Sequence, residues 1–134
     1  MEKIFSDKTL DELLHLASQN PRLRVNLDLR DDPQEESQRM LNAIMPGSIL
    51  PIHRHTTTSE VIMVLKGEFE IFYYDEKGNQ TDSVILNPDS GTYGISIPAG
   101  QWHNSKANVP TVIIESKAGH YKPLEPADIL IPEA

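Results

Sequence analysis

Between Arg24 and Lys117 the sequence returns again and again to a two-residue period, in short runs separated by turn signals. In "RVNLDL", Val25, Leu27 and Leu29 face one way and Arg24, Asn26 and Asp28 the other, the pattern of a strand with one packed face. "SQRMLNAIM", "SILPIHRH", "EVIMVLKG", "EFEIFYYD", "SVILN", "YGISIP" and "TVIIESK" follow. Turn chemistry at Lys66-Gly67, "DEKGNQ", "NPDSG" and "PAG" separates them. Many short strands joined by tight turns predict an antiparallel sandwich or barrel.

A single stretch near the start follows helical spacing instead. In "FSDKTLDELLHLASQNP", Ser6 serves as N-cap, Phe5 and Leu10 are placed as a hydrophobic staple, and Leu10, Leu13, Leu14 and Ala17 form one stripe. Asn20-Pro21 stops it. His15 lies off the stripe and reads as solvated. "DDPQEES" reads as an acidic loop. The tail "GHYKPLEPADILIPEA" holds three of the ten prolines and reads as an extended strap, with Ile129 and Ile131 available to pair at an edge or with a second subunit.

The chemistry concentrates in "HRHTTTSE". Side chains two apart on a strand point the same way, so His53 and His55 share a face with backbones roughly 7 Å apart, close enough to grip one ion. Arg54 points away. Glu60 follows the short loop "TTTS" as the first inward residue of the run in which Glu60, Ile62 and Val64 alternate with Val61, Met63 and Leu65. If that strand pairs beside the first, Glu60 reaches the same ion. "IPAGQWHN" adds His103 after a tight turn, a fourth ligand.

Composition narrows what such a site can serve. The 134 residues suit one domain, with no internal repeat, no twenty-residue apolar run, and no basic start followed by an apolar core at "MEKIFSDK". A soluble, cytoplasmic protein is expected. The absence of cysteine excludes disulfides, thiolate zinc sites and cysteine nucleophiles, so any metal is held by nitrogen and oxygen. A formal charge of −8 without a basic run argues against nucleic acid or membrane as partner and leaves a small molecule or another protein.

These residues also carry a resemblance. Gly47, five residues, His53, one residue, His55, four residues, Glu60, six residues and Gly67 reproduce the first signature of the cupin superfamily. "PAGQWH" carries the centre of the second. That second motif departs from the pattern at its opening glycine, since six residues separate Gly91 from Pro98 and three separate Gly94 from it, and at its closing asparagine, where Ala107 stands. Over nearly its full length the chain resembles the WbuC family of small cupin metalloproteins, through "SQNPRLRVNLDL", "QRMLNAIMPGSILPIHRH", "VLKGEFEIFYYDEKG", "IPAGQWH" and "ESKAGHYKP". Members of that family are often encoded with enzymes of surface polysaccharide (O-antigen) synthesis.

The resemblance implies an all-β cupin, a double-stranded β-helix or jelly-roll barrel with a short N-terminal helix. It implies one domain over 1–134, with the helix within 1–20, the barrel over 24–117 and the strap over 118–134. One divalent transition metal, Fe, Mn, Ni, Co or Zn, would be held by His53, His55, Glu60 and His103, leaving one or two positions for water or substrate. In the resembled family the positions of Arg24, Asn26, Gln38, Arg39 and Asn42 recur near the cavity, which makes them candidates for binding a carbohydrate or anionic ligand. Polar alternation on a strand also suits a solvated outer face. Trp102 reads as a packing residue, and Phe69, Ile71 and Tyr73 alternate with Glu70, Phe72 and Tyr74, one set in the core and the other partly exposed. His120 stands apart from the metal set, while the tail can bring it or Tyr121 to the cavity mouth.

Three activities fit. The metal acts as a Lewis acid on a sugar or sugar nucleotide in an isomerase, epimerase or lyase, it serves an iron-dependent dioxygenase, or it orients a ligand in a non-catalytic binding cupin. An acidic or basic side chain within reach of the open position favours an enzyme, and an apolar cavity favours the binding module. Dimerisation, common among cupins, fits the apolar "DILIP".

Overall fold

The computed structural model describes residues 3–130. One helix, α1 (Asp7–Gln19), precedes β1 (Arg24–Asp28), β2 (Ser37–Ile44), β3 (Ile52–His53), β4 (Glu60–Lys66), β5 (Phe69–Tyr74), β6 (Gln80–Leu86), β7 (Gly94–Ile97), β8 (Trp102–Ala107), β9 (Thr111–Ala118) and β10 (Ile129–Leu130). The strands form two five-stranded antiparallel sheets, ordered β1-β2-β9-β4-β7 and β10-β3-β8-β5-β6. This is the two-sheet jelly roll with one short helix. No helix among the described residues is long and apolar enough to cross a membrane.

Helix α1 begins where Ser6 satisfies the first free backbone donors. Thr9 N donates to Ser6 Oγ at 3.5 Å and Ser6 N donates to Thr9 Oγ1 at 3.2 Å, so a threonine closes the capping box. Its buried Leu10, Leu13 and Ala17 pack on Leu29, Leu41, Ala43 and Val112, with Val25, Leu27 and Ile114 at the margin. The aliphatic face of "RVNLDL" therefore lies under the helix, on the outside of the barrel wall. Arg24, Asn26 and Asp28 take the opposite face.

A second cluster fills the space between the sheets: Ile44, Ile62, Val64, Phe69, Ile71, Leu86, Ile97, Ala107 and Ile113. Alternation along the strands makes this interior apolar at one end and polar at the other. On β8 the inward sequence runs His103, Ser105, Ala107; on β9 it runs Lys117, Glu115, Ile113; on β4 it runs Glu60, Ile62, Val64. The polar ends lie together, so the fold itself gathers the ionisable side chains into one chamber.

Two strands differ from expectation. "WHNSKA" is a full strand, β8, although its period-two signal is weak, because its inward residues His103 and Ser105 face the chamber and not the core. The run "SILPIHRH" yields only the two-residue β3. Gly67 and Gly94 are close-approach positions. A Cβ at Gly67 (φ +100°) would lie 2.5 Å from Thr111 Oγ1, and one at Gly94 would lie 2.6 Å from Ile62 O.

The tail returns along the barrel as an extended segment. Ile129 pairs with His53 and Leu130 with Ile52, while Arg54 N donates to Asp128 O at 3.1 Å. Ile131, the second residue expected to pair, lies outside the described residues. Trp102 is buried with the Arg54 guanidinium 4.4 Å from its ring centre, which makes it a packing residue of this seam.

Candidate metal centre

His53 and His103 are direct cross-strand partners on β3 and β8, which sets their rings 4.3 Å apart, centre to centre. His55 follows one pleat later, just beyond β3, with its ring 5.2 Å from that of His53. Glu60 arrives from the other sheet. Its strand, β4, pairs with β7 and β9 and not with β3, so the carboxylate crosses the barrel interior to meet the imidazoles. Oε1 lies 2.8 Å from His103 Nε2 and Oε2 lies 3.7 Å from His55 Nε2. One ligand atom from each of the four residues falls within 4.8 Å of all the others.

The donor chemistry suits a divalent cation. His53 Nδ1 lies 3.0 Å from Pro51 O and His103 Nδ1 lies 2.9 Å from Gln101 O, contacts that place the ring proton on Nδ1 and direct Nε2 into the cluster. The His103 ring is thus flanked by two acceptors, Gln101 O and Glu60 Oε1. A neutral imidazole has a proton for only one of them, and a cation at Nε2 serves the other. Burial, followed by the neighbouring His103, pushes His53 down to about 4, and burial lowers His55. Neutral rings are what a metal ligand requires. Burial alone would raise Glu60, but its contact with His103 Nε2 and the surrounding imidazoles hold its carboxyl below the usual range.

The four residues form part of the wall of a cavity of about 310 Å³, near the lower end of the roughly 300–1,000 Å³ usual for small-molecule sites. Gln38, Asn42, Glu115 and Lys117 line the wall formed by β2 and β9, and Tyr121, Lys122 and Leu124 of the tail lie across the mouth. His120 stays apart from the cluster and contacts Glu36 at 3.0 Å.

The expected ligand-binding residues divide. Gln38 and Asn42 reach the cavity; Asn26, exposed on the edge strand, is not among the lining residues. Arg24 lines it at the Ile44 end of β2, with its guanidinium donating to Ser48 Oγ at 3.3 Å and Ile49 O at 2.9 Å. Arg39 borders it too. Alternation places its side chain with Leu41 and Ala43 on the helix side, where it donates to Ser37 O at 2.9 Å and Glu35 Oε1 at 3.4 Å.

Sequence reading passed over Glu115 and Lys117. Glu115 lies deep in the protein although it borders the cavity, and accepts a hydrogen bond from Asn42 Nδ2. Burial, then the nearby charge of Glu60, pushes it up to about 7, against the pull of Lys117. Lys117 Nζ stands 3.4 Å from His55 Nδ1. The signal was present in "TVIIESK", where Glu115 and Lys117 share a face with Ile113.

A family model described as "Domain of unknown function (DUF6016)" matches residues 5–86, more than half of the chain. The chain belongs to this family. The matched segment of this DUF6016 protein includes His53, His55 and Glu60, and His103 lies beyond it. Curated proteins offer no match to the sequence.

Solved structures share the fold of the DUF6016 chain at low identity. The capsular polysaccharide assembling protein CapF from Staphylococcus aureus is 22% identical with a TM-score of 0.64, over 81% of this chain and 29% of CapF. L-ribose isomerase from Acinetobacter sp. DL28, solved with L-ribose, is 16% identical with a TM-score of 0.61, over 76% of this chain and 61% of the isomerase. An oxalate oxidase solved with the substrate analogue glycolate is 22% identical with a TM-score of 0.59, over 78% of this chain and 55% of the oxidase. These are cupin-fold proteins, and the DUF6016 chain has the cupin fold. It spans under a third of CapF.

Proposed function

We propose that this protein is a small, cytoplasmic, metal-dependent cupin enzyme acting on a sugar, or on the sugar end of a sugar nucleotide, in surface polysaccharide synthesis, the pathway with whose genes members of the resembled WbuC family are often encoded. The reading takes residues 1–134 as one cupin domain that works as a homodimer. The observation that carries it is the convergence of His53, His55, Glu60 and His103, ligand atoms within 4.8 Å, on a cavity whose wall also carries Gln38, Asn42, Glu115 and Lys117. A divalent ion held there supplies Lewis acidity toward a carbonyl or hydroxyl oxygen.

The chain's own residues favour an enzyme over a binding module. Glu115 and Lys117 bring a carboxyl and an ammonium to the wall beside the cluster, and a module that only orients a ligand has no use for a buried carboxyl whose pKa burial pushes up. Gln38 and Asn42 supply amide groups on the same wall, and Arg24 and Arg39 stand at its margins. The shared fold of CapF, a capsular polysaccharide assembling protein, and of an isomerase solved with L-ribose agrees with a carbohydrate substrate.

Isomerase and epimerase chemistry that runs by proton abstraction exchanges a carbon-bound hydrogen with solvent, and a hydride shift shows instead as conversion of the sugar. Incubation with a panel of hexoses and sugar nucleotides in deuterated water, followed by proton NMR, should show deuterium entering one position. Chelation should stop it and a restored divalent ion should return it. Fully metallated protein that neither exchanges hydrogen in nor converts any member of the panel would contradict the reading.

A further inference from the structure

We infer that Lys117 and Glu115 form a second binding subsite facing the histidine cluster, and that it takes a compact hydroxy acid of monosaccharide size, with carboxylate at Lys117 and a hydroxyl at Glu115. The inference rests on the metal reading and adds to it the class of ligand.

Charge comes first. Of the four cations that line this cavity, Lys122 is exposed on the tail and two others already have partners: Arg24 donates to Ser48 and Ile49 at the far end of β2, and Arg39 to Ser37 and Glu35 on the helix side. Lys117 differs. Among the described residues its ammonium contacts only the His55 ring, at 3.4 and 3.5 Å, and no carboxylate closes an ion pair with it. Glu60 is its cross-strand partner on the same face, but that carboxylate is turned to His103 and His55. A divalent ion together with Lys117 outweighs the carboxylates of Glu60 and Glu115, which leaves this end of the cavity positive, and an anionic group brought there is attracted to both cations.

Hydrogen bonding comes second. Glu115 stands one pleat from Lys117 on β9, and Asn42 donates to its Oε1, leaving Oε2 for a ligand hydroxyl. Gln38 is Lys117's neighbour on β2 and is only 5% exposed. Its Nε2 donates to Gly119 O, whereas its Oε1 is buried with no partner. Such an acceptor, left alone, is unfavourable. A ligand hydroxyl, or the Lys117 ammonium drawn toward it, would satisfy it. The wall is thus short of donors and holds an unpaired cation, which a carboxylate with adjacent hydroxyls complements.

Size comes third. The cavity of about 310 Å³ holds a monosaccharide-sized molecule, so a nucleotide would have to project past Tyr121 and Lys122.

Titration calorimetry of the metal-loaded protein with galacturonate, glucuronate and gluconate, and with galactose as the neutral control, tests this. Metal content is measured on the same samples. At least one acid should bind, galactose should bind at least tenfold more weakly, and Lys117→Met should weaken the acid at least tenfold with its metal retained. Glu115→Gln, which keeps the side-chain shape, should weaken it severalfold and guards against a Lys117 variant that fails to fold. The subsite is overturned if no acid binds metal-loaded protein, if galactose binds as tightly, or if neither substitution changes affinity. A wild-type protein that takes up no metal would overturn the metal reading and the subsite together. Failure to bind acids with metal present overturns the subsite alone.

Discussion

Glu60 and His103 meet from opposite sheets, Oε1 to Nε2 at 2.8 Å, and are both buried. Their contact ties the two halves of the barrel together at the point where the other imidazoles converge. Glu60→Gln keeps the shape of this bridge and removes its charge. Metal affinity should fall by on the order of tenfold or more, while the metal-free protein melts within a few degrees of wild type. A metal titration and a melting curve check both. Unchanged metal affinity with a large drop in melting temperature would make Glu60 a structural hydrogen-bonding residue.

Glu115 gives a pH dependence with a definite sign. Its carboxyl is pushed from an ordinary 4.5 up to about 7, so across that interval the folded state holds a proton that the unfolded state has released. Stability contributed by the neutral carboxyl is therefore present below pH 4.5 and lost as pH rises toward 7. Glu115→Gln has no such proton to lose. In metal-free protein its melting temperature, relative to wild type, should be more favourable at pH 8 than at pH 5. A difference that does not vary with pH contradicts the placement of Glu115.

Gly67 is held by space and backbone angle together. Alanine there would strain a φ of +100° and press on Pro110 O at 2.6 Å and Thr111 Oγ1 at 2.5 Å. Gly67→Ala should destabilise the fold by roughly 1–3 kcal/mol, read by urea unfolding. Gly91 makes the comparison clear, since its φ is also positive but nothing lies within 4 Å of its added Cβ. Gly91→Ala should be the milder of the two.

The cluster under α1 can be tested separately from the chamber. Leu41 is fully buried among Leu10, Leu13 and Val112. Leu41→Ala should lower stability by about 2–5 kcal/mol and leave metal content unchanged, because the affected side of β2 faces the helix. Loss of metal in a folded Leu41→Ala protein would contradict the separation of the two faces.

What the sequence disclosed follows the range of the forces involved. Local signals were readable: the Ser6 cap and Leu10-Leu13-Ala17 stripe mark α1, and alternation marks β1, β2, β4, β5 and β9. Spacing brought His53, His55, Glu60 and His103 together as one expected ligand set. Which strands pair is decided by contacts distant in sequence, so the entry of Glu60 from the opposite sheet was not readable from the loop that joins it to His55. Polar inward residues also erase the apolar signal where a chamber opens, which hid β8 and left Glu115 and Lys117 looking like an ordinary strand end. Alternation separates Arg39 from Gln38 once the helix is known to cover one face, but the sequence alone does not say which face that is.

The central claim is that the four-residue cluster holds a metal, and elemental analysis of protein purified without an affinity tag tests it most directly. Wild type should carry one divalent transition-metal ion per chain, while His53→Ala and His103→Ala, still folded by circular dichroism, should carry little or none. Wild-type protein that stays metal-free after incubation with Fe, Mn, Co, Ni and Zn, or full occupancy in both variants, would contradict it.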